Sequence, residues 1–168
     1  MNVGRLVARA LVGSLFVGHG TQKLMGWFGG PGLAGTDGMM ESLDMRPARR
    51  NSLAAGVTET AGGAMVALGL ATPLAAASLM GIMTTAIRKV HLANGPWASN
   101  GGYEYNLVLM AALLAIVDDG PGDLSLDAAL GWQKHGAAWA LGALGLGAAM
   151  STAVIALGQS GTAPQAQA

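Results

Sequence analysis

The sequence predicts an all-α, polytopic membrane protein: a four-helix transmembrane bundle followed by a fifth, C-terminal transmembrane helix. Three observations carry this expectation. The 168 residues are 52% hydrophobic and only 11% charged, with a mean hydropathy of +0.45, whereas a soluble domain carries about 25% charged residues. Long uncharged runs recur along the chain, and such runs need lipid cover. The few ionisable residues within the apolar stretches gather on one side of a membrane once the stretches are threaded back and forth. A soluble Ala-rich bundle is the competing reading, and the uncharged runs count against it. Net charge is zero, which gives no reason to expect nucleic acid. There is no cysteine, so disulfides, thiolate metal sites and thiol redox chemistry are excluded in this chain. The 27 glycines, with Ala, Ser and Thr, suit close helix approach in lipid.

The first span covers about residues 3–25, with Arg5 and Arg9 near one end and His19 and Lys23 near the other. A signal peptide is the rival reading. It is disfavoured because His19 and Lys23 follow the uncharged run 10–18 and no A-x-A site is near. A loop of about 25 residues comes next. Its Gly30-Pro31-Gly32-Leu33-Ala34-Gly35 matches G-x-G-x-x-G in form only, since no strand precedes it, and it reads as flexible turns. Thr36 or Asp37 is the expected cap of an amphipathic helix over about 37–45. Met39, Met40, Leu43 and Met45 would rest that helix on the membrane surface, with Arg46, Arg49 and Arg50 at headgroup level.

Residues 60–87 are 28 positions without a charge. A single straight helix of that length would measure about 42 Å, too long for a ~30 Å hydrocarbon core. Gly69-Leu70-Ala71-Thr72-Pro73 breaks it, because Gly suits a helix end and Pro a helix start. Two spans follow, about 51–70 and 72–92. The fourth is about 103–117, and Asp118, Asp119 and Gly120-Pro121-Gly122 end it. The fifth is Ala/Gly-rich and uncharged over about 136–157, which reads as simple packing or lipid contact. The polar tail beyond it reads as disordered.

Alternation of five spans puts six ionisable residues on one side: His19, Lys23, Glu59, Arg88, His91 and Glu104. The other side holds Arg5, Arg9, Asp118, Asp119, Asp123 and Asp127, with Arg9 expected to pair with Asp118. A charge inside a spanning helix costs roughly 2.5–3.5 kcal/mol on insertion scales, so it marks a functional site by default. Glu59 lies deepest, roughly 12 Å into its span at the helical rise. At that depth it must be neutral or paired with a cation; Lys23 and Arg88 are the candidate partners and His19 a candidate proton exchanger. A helix-locking ion pair is the plain alternative to a binding site. Arg88 and His91, three apart, are expected on one face. His91 and Glu104 also read as ordinary boundary residues. Gly62-Gly63 would let a neighbouring helix approach, or open space for a flat ligand beside the carboxyl group. Trp27, Phe28 and Trp97 read mainly as an aromatic belt.

The order of motifs resembles a known family. RLVARALVGSLFVGHGTQKLMGWFGG, with His19-Gly20 and Lys23, is followed by Glu59-Thr60-Ala61-Gly62-Gly63 and Leu68-Gly69-Leu70-Ala71-Thr72-Pro73. His91, Gly101-Gly102-Tyr103-Glu104-Tyr105-Asn106, Gly120-Pro121-Gly122 and Ser125-Leu126-Asp127 come after. Over about residues 5–127 this is similar to the DoxX family of small bacterial membrane proteins. The resemblance implies a four-helix bundle domain over 1–127 in the bacterial cell membrane, and a link to redox physiology. Relatives are associated with quinone-coupled thiosulfate oxidation, with membrane oxidoreductase complexes in oxidative-stress defence, and with resistance to quinones or catechols. The family pattern positions carried over are His19, Lys23, Glu59 and Glu104. The chain departs from the family through a linker and fifth helix over 128–158 and a tail over 159–168.

Three functions follow as expectations. The first is a membrane subunit of a redox or oxidative-stress system that binds a quinone-like molecule, whose carbonyl would accept from Lys23 or His19 while Glu59 exchanges the proton. Without cysteine, electrons would come from a partner or cofactor. The second is a non-catalytic scaffold for a peripheral oxidoreductase, and the third a proton-coupled small-solute transporter. The cofactor stays open: a quinone suits the cluster, whereas three histidines make haem ligation by His19 and His91 a thin reading. No metal is expected, and no reaction is assigned. Orientation is undecided. Six cations (Lys23, Arg46, Arg49, Arg50, Arg88, Lys89) stand against three (Arg5, Arg9, Lys134), but without Lys23 and Arg88 the balance is four against three.

Overall fold

The computed structural model describes residues 3–160. Its described residues hold seven α-helices: α1 (Val3–Met25), α2 (Gly32–Ser42), α3 (Ala48–Leu68), α4 (Thr72–Ala86), α5 (Glu104–Asp119), α6 (Leu126–Ala129) and α7 (Ala137–Gln159). The all-α expectation holds. α1 runs along α3, α4 packs between α3 and α5, and α5 returns to α1, closing a four-helix ring. α7 lies outside this ring against α4 and α5. Phe16, Val66, Leu79, Met80, Leu113 and Val117 form the centre of the core.

The break within the long uncharged run forms as its residues dictate. Gly69 takes a left-handed φ of 65° after α3, and Gly69 N and Leu70 N close back on Val66 O and Met65 O at 3.1 and 2.8 Å. This satisfies the last carbonyls of α3. Pro73 then stands in the first turn of α4. Asp127 completes the turn from a distance. Its buried carboxylate accepts from Ala71 N at 2.7 Å, from Thr72 N at 2.9 Å and from Thr72 Oγ1 at 2.7 Å. An acid at a helix start satisfies unpaired N–H groups and faces the positive end of the helix dipole.

Arg9 corrects an expectation. It is buried and gives its donors to main-chain carbonyls: Nε to Ala67 O at 3.0 Å, Nη2 to Leu124 O at 2.5 Å, and Nη1 to Pro121 O. It ties α1 to the end of α3 and to the loop before α6, in place of the expected pairing with Asp118.

Helix ends meet as back-and-forth threading requires. Arg46 N donates to Gly158 O at 2.8 Å, joining the start of α3 to the end of α7. At the opposite end Gly136 N donates to Asp118 O at 3.0 Å, joining the end of α5 to the start of α7. The first of these ends, which also holds Lys23, Arg49, Arg50, Arg88 and Lys89, is called the basic side below.

Other boundaries moved. α2 starts at Gly32, not at 37, so the Gly-rich segment enters a helix. Thr36 is not its cap; it is buried in the helix body, with Oγ1 donating toward Gly32 O at 2.8 Å and Lys23 O at 3.2 Å. α4 does not run evenly to 92. It passes into a π-helical turn over Ile87–His91 and a 3₁₀ turn over Leu92–Asn94. α7 includes Gln159, the first residue of the expected disordered tail, and the rest of that expectation from 161 lies outside the described residues.

Among the described residues one helix, α7, is long and apolar enough to cross a membrane by length and composition. α1 contains Arg5, Arg9 and Lys23, and α3 contains Arg49, Arg50 and Glu59. α4 and α5 are 15 and 16 residues long. α7 buries a stripe of Ala140, Ala143, Gly147, Ser151, Ile155 and Gly158. A Cβ on Gly147 would stand 2.8 Å from Ala77 O, so the bare glycine is what lets α4 and α7 touch.

Candidate functional site

Glycine contacts between α1 and α3 create the site's central pair. A Cβ on Gly13 would meet Gly63 O at 2.5 Å, and one on Gly20 would meet Gly56 O at 2.6 Å. Only Gly allows backbones this near, so the two helices approach closely along their length. One turn beyond Gly20, Lys23 reaches α3. Its Nζ donates to Glu59 Oε2 at 2.6 Å. Glu59 is 2% exposed and Lys23 23%. Of the two cations proposed for Glu59, Lys23 is the one in contact. Gly62-Gly63 is filled by packing: a Cβ on Gly62 would lie 3.0 Å from Leu79, and one on Gly63 2.8 Å from Phe16. The expected space for a flat ligand there does not exist.

The space lies on the other face of Glu59. A cavity of about 580 Å³ is bounded by α1, α2, α3, α4, α5 and α7, and its walls are mostly apolar. Lys23, Glu59, His19 and His91 all line it. His19 Nδ1 lies 3.2 Å from Gln22 Oε1, and Nε2 lies 3.4 Å from Tyr105 Oη. A carboxamide oxygen only accepts, so Nδ1–H donates to Gln22 and, in the neutral ring, Nε2 accepts from the Tyr105 hydroxyl. The two rings stand edge to face with centroids 6.0 Å apart. His91 Nδ1 donates to Gly101 O at 2.7 Å, which fixes the ring against the loop before α5.

Arg88 and Glu104 are not brought to the cavity. The π turn separates Arg88 from His91, because its wider winding abolishes the shared face that three-residue spacing has in an α-helix. Arg88 Nη1 turns to α7, donating to Ser151 Oγ at 3.3 Å and Thr152 Oγ1 at 3.1 Å. The same turn sends Lys89 into the cavity wall, a placement no local spacing foretold. Glu104 Oε2 accepts from Ala98 N at 2.9 Å and fastens its own loop.

The methionines have a neighbour that the sequence did not point to. Met39, Met40, Leu43 and Met45 line the cavity. α2 packs against α1 and α3 and roofs the space. Met83 of α4 and Met150 of α7 continue this wall. Thioethers are polarisable and adaptable, and they suit contact with flat aromatic groups. The density of methionine in 39–45 was the available signal. Asn106, also in the wall, donates to Met83 Sδ at 3.4 Å. Trp27 and Phe28 pack edge to face on the exterior, away from the lining. Among the described residues no group of three or more His, Asp or Glu is placed to hold a metal ion.

The arrangement can hold a small, mainly apolar molecule with one polar edge. Lys23 has three N–H donors and gives one to Glu59; the other two have no acceptor among the described residues. Tyr105 and His19 add exchangeable protons beside them.

Fold and site define a helical protein whose apolar bundle encloses a buried ion pair beside a cavity, the arrangement of a membrane protein with an internal polar site. The family model DoxX matches residues 4–92, more than half of the chain. The chain belongs to the DoxX family and is an integral membrane protein of that type. The match runs from within α1 through the π turn after α4, and therefore takes in His19, Lys23, Glu59, Arg88 and His91; Glu104, α5 and α7 lie beyond it. No curated protein and no solved structure matches the chain.

Proposed function

We propose that this protein crosses a bacterial cell membrane several times, through α1, α3, α4, α5 and α7, and binds a quinone-like molecule as the membrane subunit of a redox or oxidative-stress system. The observation that carries this is the cavity of about 580 Å³ with Lys23 and Glu59 paired in its wall. Ligand pockets fall in the range of about 300–1,000 Å³, mostly apolar with a few placed polar groups. A quinone carbonyl accepts a hydrogen bond from Lys23, the ring lies against the methionine wall, and Glu59 and His19 are within the same wall to exchange a proton. The inward packing of α2 leaves the scaffold reading less support, since the first loop is then occupied with the bundle itself. The transporter reading has no comparable support.

The test uses the purified full chain in detergent and a soluble naphthoquinone, with binding followed by quenching of tryptophan fluorescence. Saturable binding is expected, weakened about tenfold in Lys23→Met through loss of a charged donor. Equal binding by wild type and Lys23→Met, or none by wild type, refutes the proposal.

A further inference from the structure

Arg88 is the cation that the cavity does not use. It lies 16 residues past the start of α4, about 24 Å along the bundle at the helical rise, close to the edge of a ~30 Å hydrocarbon core. It is exposed on the outer surface where α4 meets α7. Nothing acidic meets it: none of the ion pairs among the described residues involves Arg88, and residues 136–159, which include all of α7, carry no charge.

Its position is nonetheless built. The hydroxyls of Ser151 and Thr152 hold Nη1, and Ser151 is itself buried and joined to Thr85 of α4 by a 3.0 Å bond. Thr152 passes its own proton to Ala148 O at 3.1 Å, so it serves Arg88 as an acceptor. One guanidinium nitrogen is thus spent on orientation. Nε and Nη2 have no acceptor among the described residues, and the residue is exposed. A planar fork with two free donors matches two oxygens of one phosphate. A cation at the hydrocarbon boundary meets lipid phosphates as its most abundant anions.

We propose that Arg88 binds the phosphate of an anionic lipid at the seam of α4 and α7 on the basic side. The lipid would neutralise Arg88 and brace α7 against the ring. The inference rests on α4 and α7 crossing the bilayer.

The full chain, purified in a neutral detergent, is titrated with short-chain phosphatidylglycerol, and bound lipids are counted by native mass spectrometry. One retained phosphatidylglycerol is expected, with phosphatidylcholine retained poorly. Arg88→Gln should weaken retention about tenfold, the loss of a charge-assisted contact, and Arg88→Lys should fall between. If Arg88→Gln does not fold, Thr152→Val tests the same site without changing charge, and a roughly threefold weakening is expected from its partial loss of orientation. Unchanged retention in the folded variant overturns the proposal, as does equal retention of phosphatidylcholine. Displacement of the lipid by millimolar inorganic phosphate would make this a free-anion site and overturn it too. Failure to retain phosphatidylglycerol overturns the proposal, and lipid retained without regard to Arg88 overturns it while leaving the spanning arrangement untouched.

Discussion

Removing Lys23 should cost more than removing the charge of Glu59, although both changes break the same 2.6 Å bond. Glu59 is 2% exposed, and Lys23 Nζ is its one hydrogen-bond donor among the described residues. Lys23→Met therefore leaves a carboxyl group that is 2% exposed without its partner, and removing one partner of a buried pair costs about 3–5 kcal/mol. Lys23 is 23% exposed, and its long stem can carry the ammonium toward solvent. Glu59→Gln also keeps a carbonyl oxygen that accepts from Nζ, so about 1–2 kcal/mol is expected, the worth of a charge-assisted bond reduced to an ordinary one. In the double variant Lys23→Met, Glu59→Met, neither group is stranded. Apolar replacement of a buried pair is often neutral, so its stability should return to within about 1 kcal/mol of wild type. The assay is reversible unfolding in mixed micelles of rising denaturing-detergent fraction, read by tryptophan fluorescence. A double variant whose loss equals the sum of the single losses refutes the reasoning, as does Glu59→Gln proving the more damaging change.

Other consequences follow from contacts elsewhere. Asp127→Ala removes three hydrogen bonds at the start of α4 and should cost about 2–4 kcal/mol, with Asp127→Asn costing less; the same unfolding assay decides. Gly63→Ala places a Cβ 2.6 Å from Gly13 O and should cost about 1–3 kcal/mol by forcing α1 and α3 apart. Gly18→Ala, on α1 with nothing near its Cβ position, should be neutral or stabilising by up to about 1 kcal/mol; equal losses for the two would contradict the close approach. Met150→Trp narrows the cavity from the α7 side and should abolish naphthoquinone quenching while leaving the Lys23–Glu59 energetics unchanged, which the double-variant cycle measures.

The fold was legible wherever composition and chain geometry act locally. An uncharged stretch too long for one span, carrying Gly69 and Pro73 four residues apart, had to break there, and it does. The depth argument for Glu59 likewise led to Lys23, because a carboxylate so far from water must find a cation. What escaped depends on contacts between distant segments. Arg9 and Asp127 read as ordinary boundary charges, yet each is buried against main-chain groups that only tertiary packing supplies. Arg88 and His91 looked like a pair because helical spacing made them so, and a single π turn parts them. The amphipathic pattern of 39–45 was read correctly as one-sided. The cavity it lines was not foreseen, since hydrophobicity alone does not distinguish a lipid surface from a cavity in the protein.

The cavity is lined both from within the stretch that the family model matches and from beyond it. The matched stretch 4–92 provides the Lys23–Glu59 pair, His19 and the methionine roof of α2. α5 and α7 lie beyond that stretch and provide the facing wall, with Tyr105, Asn106, Leu109, Met150, Ser151 and Val154. The ion pair therefore comes from the matched stretch, and the wall facing it, with the Tyr105 hydroxyl, comes from beyond it. α7 is also fastened at two levels, by Arg46 and Arg50 on its last carbonyls and by Arg88 on the hydroxyls of Ser151 and Thr152. Its register against α4 is thereby fixed, and Met150 and Val154 are held to the cavity. The fifth helix is thus a wall of the cavity as well as an apolar helix, and on the proposed function it would set which molecule fits beside the ion pair.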